Sequence, residues 1–133
     1  NKEINFFIKW RNDLPYVEFY LIKGNHDILP KFFYEEANIR LFENKLSVGN
    51  FCFTHDIATF CDDGKLFTFS GHIHPGIKMN GSGNQSLMLP CFYFGKKYAV
   101  LPAFSAFTGL AKIKPLKTDQ VFVLLENKIA KIL

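Results

Sequence analysis

LFTFSGHIHP, residues 66–75, runs from an apolar alternation straight into two histidines. Phe67, Thr68 and Phe69 keep the period of two of a strand, and Gly71 ends it. The same grammar recurs upstream. FCFTH, residues 51–55, is a short strand pattern that ends on His55. YVEFYLIKGNHD, residues 16–27, is a β-branched and aromatic run that stops at Lys23-Gly24, with Asn25-His26-Asp27 following at once. Three strands therefore each deliver a histidine at or just past their C-terminal end. In layered α/β architectures such loops build the site.

The remaining pattern is helix-poor and strand-rich. Ile4, Phe7, Ile8 and Trp10 recur at helical spacing across residues 2–11, and residues 12–15 end that helix. A short helix over 30–37 begins with Pro30 at an early position. Strands are expected at 39–42 and 46–48 around a Glu43-Asn44 turn, then at 77–79, 86–89, 91–94 and 98–101, with a Gly-rich turn over 80–84. A final hairpin spans 121–125 and 129–133 with Asn127 in its turn. No linker divides the chain, so residues 1–133 read as one α/β domain.

Composition narrows the class. An apolar fraction of 48% is ordinary for a globular domain, and sixteen phenylalanines predict a core rich in aromatic bulk. The formal charge of +4 permits an anionic partner without requiring one. Cys52, Cys61 and Cys91 are odd in number and form no CxxC pair, which argues against a disulfide framework and for a reduced, cytoplasmic protein. No apolar run approaches the roughly 20 residues that span a bilayer, and no signal peptide or membrane partner is expected. The chain begins with Asn1 rather than methionine, so further sequence or processing is expected ahead of it.

All four histidines, His26, His55, His72 and His74, lie at or after strand ends. Neutral imidazole is a common ligand for zinc, manganese and iron, and such ions hydrolyse phosphoesters at neutral pH. In an extended Gly71-His72-Ile73-His74-Pro75, the two rings would point the same way and could grip ions about 3.5–4 Å apart. A bare HxH is equally read as two surface histidines. In Gly24-Asn25-His26-Asp27 the Asn25 amide oxygen is a hard donor, and Asp27 could hold the second nitrogen of His26. Such a histidine can donate to a phosphoryl oxygen or protonate a leaving group. The competing reading is a polar turn that caps the next helix. His55 alone carries little weight and gains it from the company it keeps.

Gly-Asn-His-Asp, a lone His and Gly-His-x-His, in that order, resemble motifs three, four and five of the calcineurin-like metallophosphoesterases. Residues 71–109 are further similar to the ligase-associated DNA-damage-response endonucleases of the PdeM type. That string carries Gln85-Ser86-Leu87, Leu89-Pro90-Cys91-Phe92, Leu101-Pro102-Ala103-Phe104 and Phe107-Thr108-Gly109. The resemblance implies a two-sheet sandwich flanked by helices, of which this chain is the C-terminal portion. It implies that Asn25, His55 and His72 ligate one metal and His74 the other. His26 would stabilise the transition state, with Asp27 orienting it. It implies two divalent ions, manganese first and zinc or iron as alternatives, and single-stranded DNA as the phosphodiester substrate. A DNA ligase, a helicase-like protein and an exonuclease are the partners it implies.

The family's Asp-x-His and its bridging Gly-Asp motif do not occur here. Without the bridging carboxylate, at most one ion is expected, held weakly, and the chain alone is expected to be inactive. The strand over 16–22 would then expose an edge, which a partner or a homo-oligomer could cover. A phosphomonoesterase or nucleotidase, and a non-catalytic module that binds nucleic acid or a repair partner, are the alternative functions. No substrate-binding residue is assigned. Lys78, Lys96 and Lys97 could meet a DNA backbone, and Phe92, Tyr93, Phe94, Phe104 and Phe107 could stack bases. Solvated lysines and core aromatics are the blander readings. Asp56 could support His55, Cys52 and Cys91 read as buried small residues, and Asp62-Asp63-Gly64 and Asn84-Gln85 read as turns.

Overall fold

The computed structural model describes residues 2–59, 65–83, 85–105 and 107–133. The turns expected at 62–64 and at Asn84, and Cys61, lie outside them. Helix α1 (Lys2–Asn12) leads into β1 (Phe19–Ile22), α2 (Lys31–Glu36) and β2 (Ile39–Phe42). Strands β1 and β2 pair in parallel as a separate two-stranded sheet. Everything after them builds one large mixed sheet. It contains β3 (Lys45–Val48), β4 (Phe51–Thr54), β5 (Phe67–Ser70), β6 (Pro75–Asn80), β7 (Ser86–Phe94), β8 (Tyr98–Val100), β9 (Ala111–Lys112), β10 (Gln120–Leu125) and β11 (Lys128–Lys131). Its main order is β11-β10-β7-β8-β5-β4-β3, with β6 on β7 and β9 on β6. The fold is strand-rich α/β with few helices, as the sequence pattern implies, and its strands form two sheets.

Several boundaries move for identifiable reasons. Tyr16 and Val17 leave β1 because the Val17 N–H donates to Leu14 O at 3.1 Å and closes a turn. Pro90 does not split a strand. β7 runs through it, pairing with β6 up to Gly76↔Pro90 and with β10 from Cys91↔Val123, so the strand changes neighbours where a backbone donor is missing. The two-residue strand β9 is too short to leave a periodic signal. Glu43 and Asn44 form a crossing between the two sheets, because β2 pairs with β1 and β3 with β4.

The aromatic core is a correction. The fully buried cluster is small, with Cys91, Val121 and Val123 packed by Ile77, Leu89, Tyr93 and Ile113. Phe51, Phe53, Phe67 and Phe69 instead stack along one sheet face, with ring centroids 5.2–5.8 Å apart. Next to Phe53 opens an apolar groove of about 530 Å³, lined also by Val17, Phe19, Ile22, Leu46 and Val48. Among the described residues β1 has no ladder partner on its side away from β2. No helix is long and apolar enough to cross a membrane.

Arg11 closes the α1–β1 corner. It is 2% exposed, donates to the carbonyls of Leu14 (2.9 Å), Val17 (3.0 Å) and Asn38 (3.1 Å), and lies 4.2 Å over the Phe19 ring. Arg11→Met keeps the stem but takes the side-chain donor from the carbonyls of Val17 and Asn38, while Leu14 O keeps the Val17 N–H. It should destabilise the chain by about 3 kcal/mol, since each orphaned group costs about 1–3 kcal/mol and water recovers part. Urea unfolding measures this; an unchanged midpoint would show that the corner contributes nothing. At the opposite end of the chain, buried Asp119 accepts from Tyr93 Oη and Leu116 N, both at 2.7 Å.

Cys52 is disulfide-bonded, which corrects the expectation of a chain without disulfides. Cys91 is free and buried, as expected, with its Sγ 3.5 Å from Pro75 O. Burial pushes its thiol from 9.0 up to about 11. A pKa raised on folding favours the native state below the unfolded value, and that preference is lost as pH climbs from about 9 to about 11. At pH 8 Cys91 should therefore resist an aromatic disulfide reagent until denaturant is added. Rapid modification of the native chain at Cys91 would contradict this burial.

Candidate metal centre

Strands β4 and β5 are parallel neighbours, with Phe53 opposite Phe69, so their carboxyl ends meet at one edge. His55 follows β4 directly. Its carbonyl accepts the N–H groups of Gly71 (3.2 Å) and His72 (2.9 Å), which ties the GHIH segment to it. Asn25 arrives from the β1–α2 loop. There Asp27 Oδ2 accepts the Gly24 N–H at 2.7 Å, and the Asp27 N–H donates to Gly24 O at 3.2 Å. Gly24 has no room for a side chain. A Cβ at this position would lie 2.7 Å from Cε1 and 2.8 Å from Nδ1 of His55.

Three donor atoms converge. Asn25 Oδ1 lies 2.9 Å and His72 Nδ1 lies 2.8 Å from His55 Nε2. The two rings meet edge to face at 4.7 Å. A ring nitrogen carries at most one hydrogen and the amide oxygen carries none. No tautomer gives each of these two contacts its own hydrogen, so at least one of them is left without a hydrogen bond of its own. A cation satisfies all three. Two donors about 2.1 Å from one ion and at right angles to each other sit about 3 Å apart, close to the spacing found here. Burial lowers the His55 pKa, and His72 lowers it further, against the opposing charges of Asp27 and Asp56. The ring is thereby held in the neutral form that binds metal. The residues present fit one ion with neutral donors. Among the described residues no three His, Cys, Asp or Glu side chains come together as a metal cluster.

The other sequence candidates are not all gathered in. His26 is exposed in the turn after Asn25. Asp27 binds the Gly24 amide, and among the described residues it makes no hydrogen bond to His26, which corrects the expected Asp27–His26 contact. The extended geometry assumed for His72 and His74 is also corrected. Residues 72–73 form a turn, and His74 has φ 49°, a left-handed conformation rare outside glycine. Strand alternation therefore does not align the two rings, although the charge of His74 still reaches His55. Asp56 caps the 3-10 turn Ile57–Thr59 by accepting the Ala58 N–H at 2.9 Å, so its role toward His55 is electrostatic. The part played by Gly24 could have been suspected only from the glycine beside the Asn-His pair.

No family model matches this sequence, and no curated protein does either. Among solved structures the chain is similar to nuclease MPE of Pseudomonas putida, with a TM-score of 0.74 and 24% identity over 95% of this chain and 59% of that one. The chain thus spans less than two thirds of that nuclease's length. At this identity the likeness shows the fold: this chain has the strand-rich α/β architecture of part of the nuclease.

Proposed function

We propose that this chain is part of a metal-dependent phosphodiesterase that cleaves nucleic acid, with single-stranded DNA as its substrate. The placement of Asn25 Oδ1 and His72 Nδ1 each within 2.9 Å of His55 Nε2 carries the reading. The ordered motifs and the fold shared with a nuclease support it. Asn25, His55 and His72 would hold one divalent ion, with manganese first and zinc or iron as alternatives, and His74 would serve a second. A bound ion supplies Lewis-acid charge to the phosphoryl oxygens. His26, exposed beside Asn25, would donate a proton to the leaving oxygen, and Asp27 would fix the loop that carries it. All these metal donors are neutral, so a complete centre calls for carboxylates in addition to them.

Hydrolysis of a bis-aryl phosphodiester with Mn²⁺ tests the reading, on this chain and on a longer protein that contains it. Turnover in the longer protein, lost in His72→Ala, is the expected result. No turnover in either form would overturn it. The neutral donor set also favours a second reading, a module that binds nucleic acid without cleaving it. Metal-free, salt-dependent DNA binding with no turnover would select that reading.

A further inference from the structure

The same sheet edge carries a feature that the donor cluster does not use. Strand β8 is parallel to β5, with Ser70 opposite Val100, so the loop after β8 leaves from the edge where His55 and His72 sit. Both loop ends are tied to the histidine segment. The Leu101 N–H donates to Ser70 O at 2.7 Å, and the Ala111 N–H donates to His74 O at 3.0 Å. Between these anchors Phe104 and Phe107 stand in solvent, 109% and 101% exposed. Among the described residues no core packing covers them, and two wholly exposed phenyl rings on one loop are disfavoured in water unless something covers them.

Charge identifies what covers them. From Lys65 to Thr118 the sequence has seven lysines and no aspartate or glutamate. The loop runs directly into two of these lysines. Ile113 packs on the Cys91 cluster, so Lys112 and Lys114 on either side of it are turned outward and exposed. Exposed aromatics followed by lysines, in a stretch without acidic residues, are the pattern that grips unpaired bases and their phosphates.

We propose that Phe104 and Phe107 form a base-stacking platform for a single-stranded nucleic acid, with Lys112 and Lys114 holding its phosphates. The platform would draw the strand across the edge that bears His55 and His72. This assignment rests on the phosphodiesterase reading for its purpose, and on the loop for its geometry.

The test is fluorescence anisotropy with the 133-residue chain in EDTA. A labelled oligothymidylate is compared with an abasic backbone of equal length. Phe104→Ala and Phe107→Ala should each weaken oligothymidylate binding about 10-fold and leave abasic binding unchanged. Lys112→Gln and Lys114→Gln together should weaken both ligands alike and flatten the salt dependence by about one to two ions. Phe104→Trp should retain binding, and its emission should be quenched by the oligothymidylate. Equal affinity of the native chain for both ligands, or alanine variants that bind like the native chain, would overturn the proposal. The assay needs neither metal nor turnover. If it gives the expected pattern while no phosphodiester is ever hydrolysed, the hydrolase reading falls and the platform stands.

Discussion

His26→Ala should lower turnover of a dinucleotide by about 10²–10⁴-fold while bound metal stays unchanged, in any form of the protein that turns over. His26 lies beside the donor Asn25 but is exposed and outside the converging trio, so removing its ring deletes no contact of the cluster. General-acid catalysis contributes about this range. The loss should depend on the leaving group. A deoxyribose oxygen needs the proton and a nitrophenolate does not, so the nitrophenyl ester should suffer far less. An equal loss on both substrates would remove the proton-donor role from His26. A loss of metal would make His26 a ligand.

Gly24→Ala should weaken divalent-metal affinity by about 10–100-fold, the range for groups that orient metal ligands. The new methyl group would stand 2.7 Å from the His55 ring and displace it from Asn25 and His72. Chain stability should change little, because the ring is half-buried and can swing outward. The sharper check is a double-mutant cycle. If Gly24 acts through His55, Gly24→Ala should cost nothing further in a His55→Ala background. Additive losses would show that the glycine acts elsewhere. Metal titration by the electron paramagnetic resonance of free Mn²⁺ gives all four affinities.

Much of this arrangement was legible in the residues, because the strands are short and each ends at a polar break. Phe51–Thr54 and Ile39–Phe42 stand where the pattern put them, and the histidines at the ends of β4 and β5 do meet. The reading failed where backbone conformation depends on tertiary contact. Nothing in Gly-His-Ile-His announces that residues 72–73 turn and that His74 becomes left-handed, since the bonds to His55 O and from Ala111 N are made by distant strands. Adjacency in sequence pairs Asp27 with His26, but the Gly24 amide three residues back offers a closed turn instead. The aromatic core was over-read because composition does not say which face of a strand is covered. For Phe104 and Phe107 the blander reading is likewise the core, and both stand exposed on the loop after β8.

The most direct test of the central claim is Mn²⁺ titration of the chain and of its Asn25→Ala, His55→Ala and His72→Ala variants. The native chain should show one weak site, lost or sharply weakened in all three variants, with far-UV circular dichroism unchanged. Binding that survives all three substitutions, or no binding at millimolar Mn²⁺, would contradict a metal centre built on these donors.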